Sequence, residues 1–336
     1  VALRLYTKFV ALSTAVLIFA GGLVTSTGSG LSVPDWPNTY GWNMFTFPLE
    51  KMVGGIRYEH SHRLIASTVG FLILVLAVWL WRAEPRQWVR RLGYLALAAV
   101  ITQGILGGIT VLWYLPDPIS IAHASLAQIV FCLTAAIALF TSRGWARTGS
   151  LAPDDSLLRK LTMATTVWIY IQILIGATMR HTGAGPAIPD FPLAFGHVIP
   201  PHWDAKIAIH FAHRVGALIA TILILATTGH VFYHHARRGE LLRASMLLLV
   251  LLTAQITLGA LTVLSWNGSI HYVINSLHVV TGASVLVTSL VLTLRAHRSS
   301  FAAVRQPDGA TVGRVPPKAH ALEGGPAEPT RTGARA

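Results

Sequence analysis

A single cysteine, Cys132, occurs in 336 residues. That excludes a disulfide framework, a thiolate metal site and a Cys-x-x-Cys redox pair. Charge is scarce as well: Asp, Glu, Lys and Arg make up 12% of the chain, with 13 acids against 26 bases, while 53% is hydrophobic. No stretch reads as a soluble domain. Instead, apolar runs of roughly 18 to 23 residues recur, each long enough to cross a bilayer. Eight spans are predicted, near 9–27, 63–82, 92–114, 119–141, 160–180, 212–233, 243–265 and 271–294. The expected fold class is all-α integral membrane. The first run follows about eight residues and has no convincing small-residue cleavage site, so it reads as a retained helix.

A net charge of +13 would suggest a nucleic-acid partner in a soluble protein, but here the bases sort by loop. All but Lys51, Arg57, Arg63, Arg180, Lys206 and Arg214 fall at the termini or in alternate loops. The positive-inside rule then puts both termini in the cytoplasm. The expected location is the cell membrane, or the mitochondrial inner membrane in a eukaryote. The lipid bilayer is the implied surroundings, with no nucleic acid.

The chain is written twice. Gly21-Gly22-Leu23-Val24-Thr25-Ser26-Thr27-Gly28-Ser29-Gly30, closing with Val33-Pro34-Asp35-Trp36-Pro37, returns as Gly176 to Gly185 and Ile188-Pro189-Asp190-Phe191-Pro192. Each copy continues with a His-Arg pair (His62-Arg63, His213-Arg214), a Gln-x-x-x-Gly-x-x-Thr-Val-Leu run from Gln103 or Gln255, and a lone histidine (His123, His278). Four spans per copy is an even number, so both halves share one orientation. Two pseudo-symmetric four-helix bundles follow: an N-terminal one over 1–142 and a C-terminal one over 160–298. A cytoplasmic linker over 143–159, with Gly144, Gly149, Pro153, Asp154 and Asp155, joins them, and a tail over 299–336, rich in Pro, Gly, Ala and Arg, is expected to be disordered.

His62, His123, His213 and His278 are expected at one depth, near the outer ends of spans 2, 4, 6 and 8. Ionisable residues inside a membrane are expensive and mark sites. Two histidines without carboxylate or thiolate neighbours leave a bare zinc or copper ion short of ligands, whereas a haem brings four nitrogens and needs only two axial ones. The bland alternative is a polar contact between helices, but four histidines in a duplicated pattern favour bis-His haem ligation, twice. Arg63 and Arg214 are candidates to pair with haem propionates, against ordinary snorkelling at a helix end. His230, His234, His235, His297 and His320 are expected to be solvated. His60, His181, His197, His202 and His271 are expected to pack in the outer region.

The copies differ at one informative place: Glu59, three before His62, is replaced by His210, three before His213. A carboxylate beside one ligand pair alone suggests proton-coupled chemistry in the first half and electron transfer in the second; otherwise Glu59 is a helix-start acid. The Gly-x-Gly elements do not fit a phosphate loop, because no strand precedes them and no Lys-Ser/Thr follows. They are expected to turn the backbone, with Asp35 and Asp190 shaping the loops.

Together, the two Thr-Gly-x-Gly-x-x-x-Pro-Asp-Trp/Phe-Pro loops, the Glu59-His60-Ser61-His62-Arg63 run and the later histidines resemble the haem A synthase (CtaA/Cox15) family over about residues 5–295. The resemblance implies an oxidoreductase that converts the C8 methyl of haem O to a formyl group by successive hydroxylation, supplying haem A for terminal oxidase assembly. It implies that His62 and His123 flank substrate haem O, that Glu59 is the essential carboxylate, and that His213 and His278 ligate a haem b. A haem O synthase and an electron donor are the implied partners, and a homo-oligomer is compatible. Many members carry a cysteine pair in the first outer loop, and Trp36 to Phe47 has none, so thiol chemistry there does not apply. Two other classes fit the pattern less well: a di-haem b-type electron carrier, which would stack ligands at both depths, and a two-repeat transporter, for which Gly107-Gly108 and Gly259 are weak helix breaks.

Overall fold

The computed structural model describes residues 1–146, 155–266, 268 and 270–303. Eight long helices dominate: α1 (Ala2–Ser26), α2 (Gly54–Ala83), α3 (Gln87–Leu112), α4 (Asp117–Phe140), α6 (Ser156–His181), α7 (Ala205–His234), α8 (Gly239–Leu264) and α9 (His271–Ala296); α5 (Arg143–Ala146) and α10 (Arg298–Ala303) are short. All eight are long and apolar enough to cross a membrane, so the chain is an all-α, multi-pass membrane protein. Residues 1–299 form one compact unit, and of a second unit from Ser300 only the end of α10 is described. Most of the expected linker (147–154) and of the expected tail (304–336) lies outside the described residues.

In the first half α1 packs on α2, α2 on α3, α3 on α4 and α4 on α1; in the second, α6, α7, α8 and α9 close the same ring. The seam joins α1 to α9 and α4 to both α6 and α9. This is consistent with two pseudo-symmetric four-helix bundles side by side. One consequence positions everything below: α2 stands diagonally across from α4, and α7 from α9. Helix direction alternates, so α2, α4, α7 and α9 all begin at the end that carries the two long loops. Leu115 against Gly30 and Trp266 against Gly185 seat the short turns beside those loops.

Side chains are sorted for an apolar surrounding. Leu5, Phe9, Leu12, Val16, Leu218 and Ile222 are exposed, while hydroxyls are turned inward and paired across helices. Thr7 meets Thr141 at 3.1 Å, Thr165 meets Thr227 at 2.7 Å, Thr166 meets Ser289 at 2.7 Å, and Ser26 meets Ser276 at 3.1 Å across the seam. Such interhelical bonds contribute on the order of 1 kcal/mol each. A Cβ on Gly22 would lie 3.2 Å from Ser276 Cβ, so glycine is what lets α1 approach α9.

Helix starts differ from expectation. α2 and α7 begin at Gly54 and Ala205, about two turns ahead of the predicted spans. Hydropathy sees only apolar turns, whereas the opening turns of α2 carry Arg57, Tyr58, Glu59 and His60. Glu59 and His60 are buried there by the loop above them. Asp155 and Asp204 cap α6 and α7 by accepting from Leu158 N and Ile207 N.

The long loops are near copies. Asp35 accepts from the backbone N–H of Tyr40 (2.7 Å) and Gly41 (2.8 Å), and Asp190 from Phe195 and Gly196 at the same two distances. Gly28 and Gly183 both take φ 65°, and Gly41 and Gly196 both take 76°, which is left-handed backbone suited to glycine. Burial pushes the Asp35 carboxyl up, but the Gly41 and Tyr40 N–H groups outweigh it and hold it below the usual range. For Asp190 the Gly196 N–H leads in the same direction. A depressed carboxyl stabilises the fold above its unfolded pKa, and that support is lost as pH falls through the folded value. Both loops are therefore expected to stay closed at neutral pH and to open below the ordinary aspartate range. Asp35→Ala should raise proteolytic cleavage within 27–53 several-fold at neutral pH, with the helices left uncut.

Candidate functional site

His62 and His213 each lie eight residues past the first residue of α2 and α7, His123 six past the start of α4, and His278 seven past the start of α9. At a rise of 1.5 Å per residue, all four sit about 9 to 12 Å in from the same end. Diagonal helices carry each pair, so two imidazoles enter each bundle from opposite sides. The His213 and His278 ring centroids are 6.5 Å apart. That separation leaves room for one iron with a bond of about 2 Å to each ring nitrogen. His62 and His123 lie close enough to interact electrostatically.

Each ring rests on a glycine of the preceding long helix. A Cβ would stand 3.1 Å from His62 Cε1 at Gly21, 3.2 Å from His123 Cε1 at Gly107, 2.9 Å from His213 Cε1 at Gly176 and 3.0 Å from His278 Cε1 at Gly259. Any larger residue would push the imidazole off its seat. The Nδ1 atoms of His62, His123 and His278 are buried without a hydrogen-bond partner, a costly state for a polar group. Glutamines support the rings. Gln172 Nε2 donates to the His213 carbonyl (2.7 Å) and contacts its Nδ1 (3.0 Å), Gln255 Nε2 lies 3.3 Å from His278 Nε2, and Gln103 Nε2 donates to the His123 carbonyl (2.8 Å). Seated imidazoles facing across each bundle, three with an orphaned nitrogen, with no thiolate beside them among the described residues and the one nearby carboxylate, Glu59, already held by Arg63 and Val33 N, fit a haem better than a bare ion.

Glu59 is 3% exposed. Its Oε1 pairs with Arg63 Nη2 at 2.5 Å, and its Oε2 accepts from Val33 N at 2.8 Å. In the second copy His210 Nδ1 accepts from Ile188 N at 3.3 Å. Carboxylate and imidazole thus catch the same loop N–H, so the difference between the copies sits at one structural position.

The arginine that follows the first histidine of each pair grips the long loop above it. Arg63 donates through its two Nη atoms to the carbonyls of Val33, Asp35 and Asn38 as well as to Glu59. Arg214 donates to those of Ile188, Asp190 and Leu193. Through these bonds both arginines hold the long loops over the bundles. The physical reason is that a loop folded over an apolar bundle leaves carbonyls needing donors, and the nearest cation supplies them.

Sequence reasoning missed three features. The glycine seats lie within the repeated motifs, where Gly107 and Gly259 read only as weak helix breaks and Gly21 and Gly176 carry no assigned role. Gln172 stands where the first copy has Leu17, and Arg180 where it has Thr25, contrasts that an alignment of the two copies exposes. Arg180 reaches across the seam to the Gly22 carbonyl (2.7 Å) and Ser26 Oγ (2.7 Å), and within its own bundle to Asn275 Oδ1 (3.3 Å), with no carboxylate partner among the described residues. His60 meets Thr39 at 3.0 Å, His202 packs on Phe195 and His271 on Trp266, as loop packing. His230 and His235 are not simply solvated: both bond Asp155 Oδ2. His320 lies outside the described residues.

A family described as COX15-CtaA, cytochrome oxidase assembly protein, matches residues 4–291. The chain is similar to a protein named "Heme A synthase" from Geobacillus kaustophilus, at 28% identity over 88% of this chain and 93% of that protein. It is also similar to one of the same name from Symbiobacterium thermophilum, at 30% over 74% and 82%, and to one from Shouchella clausii, at 26% over 86% and 95%.

Gly176→Ala and Gly259→Ala are each expected to lower the haem bound per purified chain several-fold by displacing a ring. Gly229→Ala, where a Cβ meets nothing within 4 Å, should leave it unchanged. Pyridine haemochrome content relative to protein is the measurement, and undiminished haem in both seat variants would refute the seating role.

Proposed function

Because the chain belongs to the COX15-CtaA family of cytochrome oxidase assembly proteins, we propose that it is a haem A synthase. In this reading it is an oxidoreductase that takes haem O and oxidises its C8 methyl group to a formyl group. One observation carries the reading: two seated histidine pairs lie across diagonal helices, with a buried carboxylate beside only the first. The N-terminal half, 1–142, holds haem O between His62 and His123. The C-terminal half, 160–298, holds haem b between His213 and His278. When bound there, haem b supplies a one-electron redox centre next to the substrate half.

The protein's own residues bind, orient and move protons. Gly21 and Gly107 set the two substrate-side imidazoles, and Arg63 holds the first loop closed and keeps water from the bundle mouth. Glu59, the buried carboxylate of the substrate half, is the group there that can take up and release a proton, at Oε1. Protonation at Oε1 weakens the pair with Arg63 and thereby loosens the grip of Arg63 on Val33, Asp35 and Asn38, so proton uptake is coupled to the loop. His210 in the second half sits on the same loop N–H without a carboxylate, which suits a half that passes electrons and does no chemistry on a carbon.

The charge pattern supports a cell-membrane location with both termini and the 143–159 linker cytoplasmic, which puts the histidine pairs toward the outer face. A haem O synthase and an electron donor are the partners the reaction needs. A di-haem carrier that passes electrons across the bilayer is disfavoured by the shared depth of all four histidines.

Co-expression with a haem O synthase, followed by analysis of extracted haems, tests the reading. Haem A is expected from the unaltered chain and at least tenfold less from Glu59→Gln, which should retain its low-spin b-type spectrum. His213→Ala should lose that spectrum. Absence of haem A from the unaltered chain would sink the enzyme reading, undiminished haem A in Glu59→Gln would remove Glu59 from the chemistry, and an unchanged spectrum in His213→Ala would remove haem b from the second half.

A further inference from the structure

At the end of the molecule opposite the histidine pairs, three potential metal ligands converge. Asp155 Oδ2 lies 2.8 Å from His230 Nε2 and 2.8 Å from His235 Nε2, and the three atoms all fall within 4.8 Å of one another. They come from two elements: Asp155 is the residue before α6, and the histidines close α7. The other carboxylate oxygen, Oδ1, caps α6 through Leu158 N at 2.9 Å, which fixes the carboxylate so that Oδ2 faces the imidazoles. All three side chains are partly buried. His234 stacks beside His230 with ring centroids 4.5 Å apart, leaving a further imidazole within reach of a small movement.

We propose that Asp155, His230 and His235 form a binding site for a divalent transition metal, with zinc the best match. Two imidazoles and a carboxylate, no thiolate, and a fourth position open to water or His234 make a recurrent zinc donor set. Bonds of about 2.0 to 2.1 Å in a tetrahedron put ligand atoms about 3.3 Å apart. Oδ2 therefore has to draw back from each nitrogen by only about half an ångström. In the metal-free form both Nε2 atoms donate hydrogen to Oδ2; on binding, those hydrogens shift to Nδ1 and the Nε2 lone pairs take the metal. The carboxyl end of α7 favours a cation at this place.

The site is separate from the haem pairs. His230 is 17 residues beyond His213 on one helix, which is about 25 Å. It is not a legacy of the duplication either, since the residues matching His230 and His235 in the first copy are Trp79 and Glu84. Its effect would be to tie the start of α6 to the end of α7, where the chain enters its second half.

The test uses the full-length, haem-loaded protein in detergent, stripped with a chelator, dialysed against zinc and washed, with zinc, iron and protein then measured together. The unaltered chain is expected to retain one more zinc than the His230→Gln/His235→Gln double variant at equal iron content. Glutamine still donates an N–H to Oδ2, so a purely hydrogen-bonding role predicts equal zinc in both, and that result would overturn the proposal. Asp155→Asn, which keeps a competent cap, is the second variant. It should also lose the extra zinc, and full retention would remove Asp155 from the site.

Discussion

A polar group carried into an apolar surrounding must find its partner inside the protein, and the rest of this structure follows from that. Hydroxyls pair between helices, as in Thr165 with Thr227 and Thr166 with Ser289. Carbonyls of the long loops are collected by Arg63 and Arg214, each of which serves as the donor set for a segment that has no strand or helix to satisfy it. Among the buried polar atoms left without a partner are the Nδ1 atoms of three of the four inward histidines.

The duplication is informative mainly where it breaks. A shared scaffold places Glu59 and His210 on one loop N–H, so chemistry can change at that point without altering the architecture. Gln172 for Leu17 adds a second supporting amide to the later pair, and Arg180 for Thr25 adds a cation to the seam. One contrast is steric: a Cβ on Gly108 would lie 2.7 Å from the Trp36 ring, and the second copy, with Phe191 for Trp36, has Ala260 there. The larger indole and the missing Cβ go together. Each half has thus been specialised by a handful of exchanges at fixed positions.

Much was legible in the residues. Apolar runs announced eight helices, because a span needs length and hydropathy and both are local. The repeated motifs announced the twin bundles, the loop-shaping aspartates and the four histidines, because a repeated fold repeats its requirements. The starts of α2 and α7 were not legible: charged and polar residues, Arg57, Glu59 and His60 in α2 and Lys206 and His210 in α7, interrupt their opening turns, which lie under loops that arrive from some twenty residues earlier. The loop carbonyls that Arg63 and Arg214 hold were not legible for the same reason, since nothing local says which distant segment a guanidinium will meet.

By itself, then, the sequence determined the membrane-spanning class, the pairing of copies and the positions at which histidines recur, all of which depend on composition and spacing along the chain. Only the tertiary structure decided which helices stand diagonally, which glycine seats which imidazole, what Arg63 and Arg180 hold, and that Asp155 meets His230 and His235. Those are contacts between segments far apart in sequence. They depend on distances of a few ångströms between side chains, and periodicity carries no information about such distances.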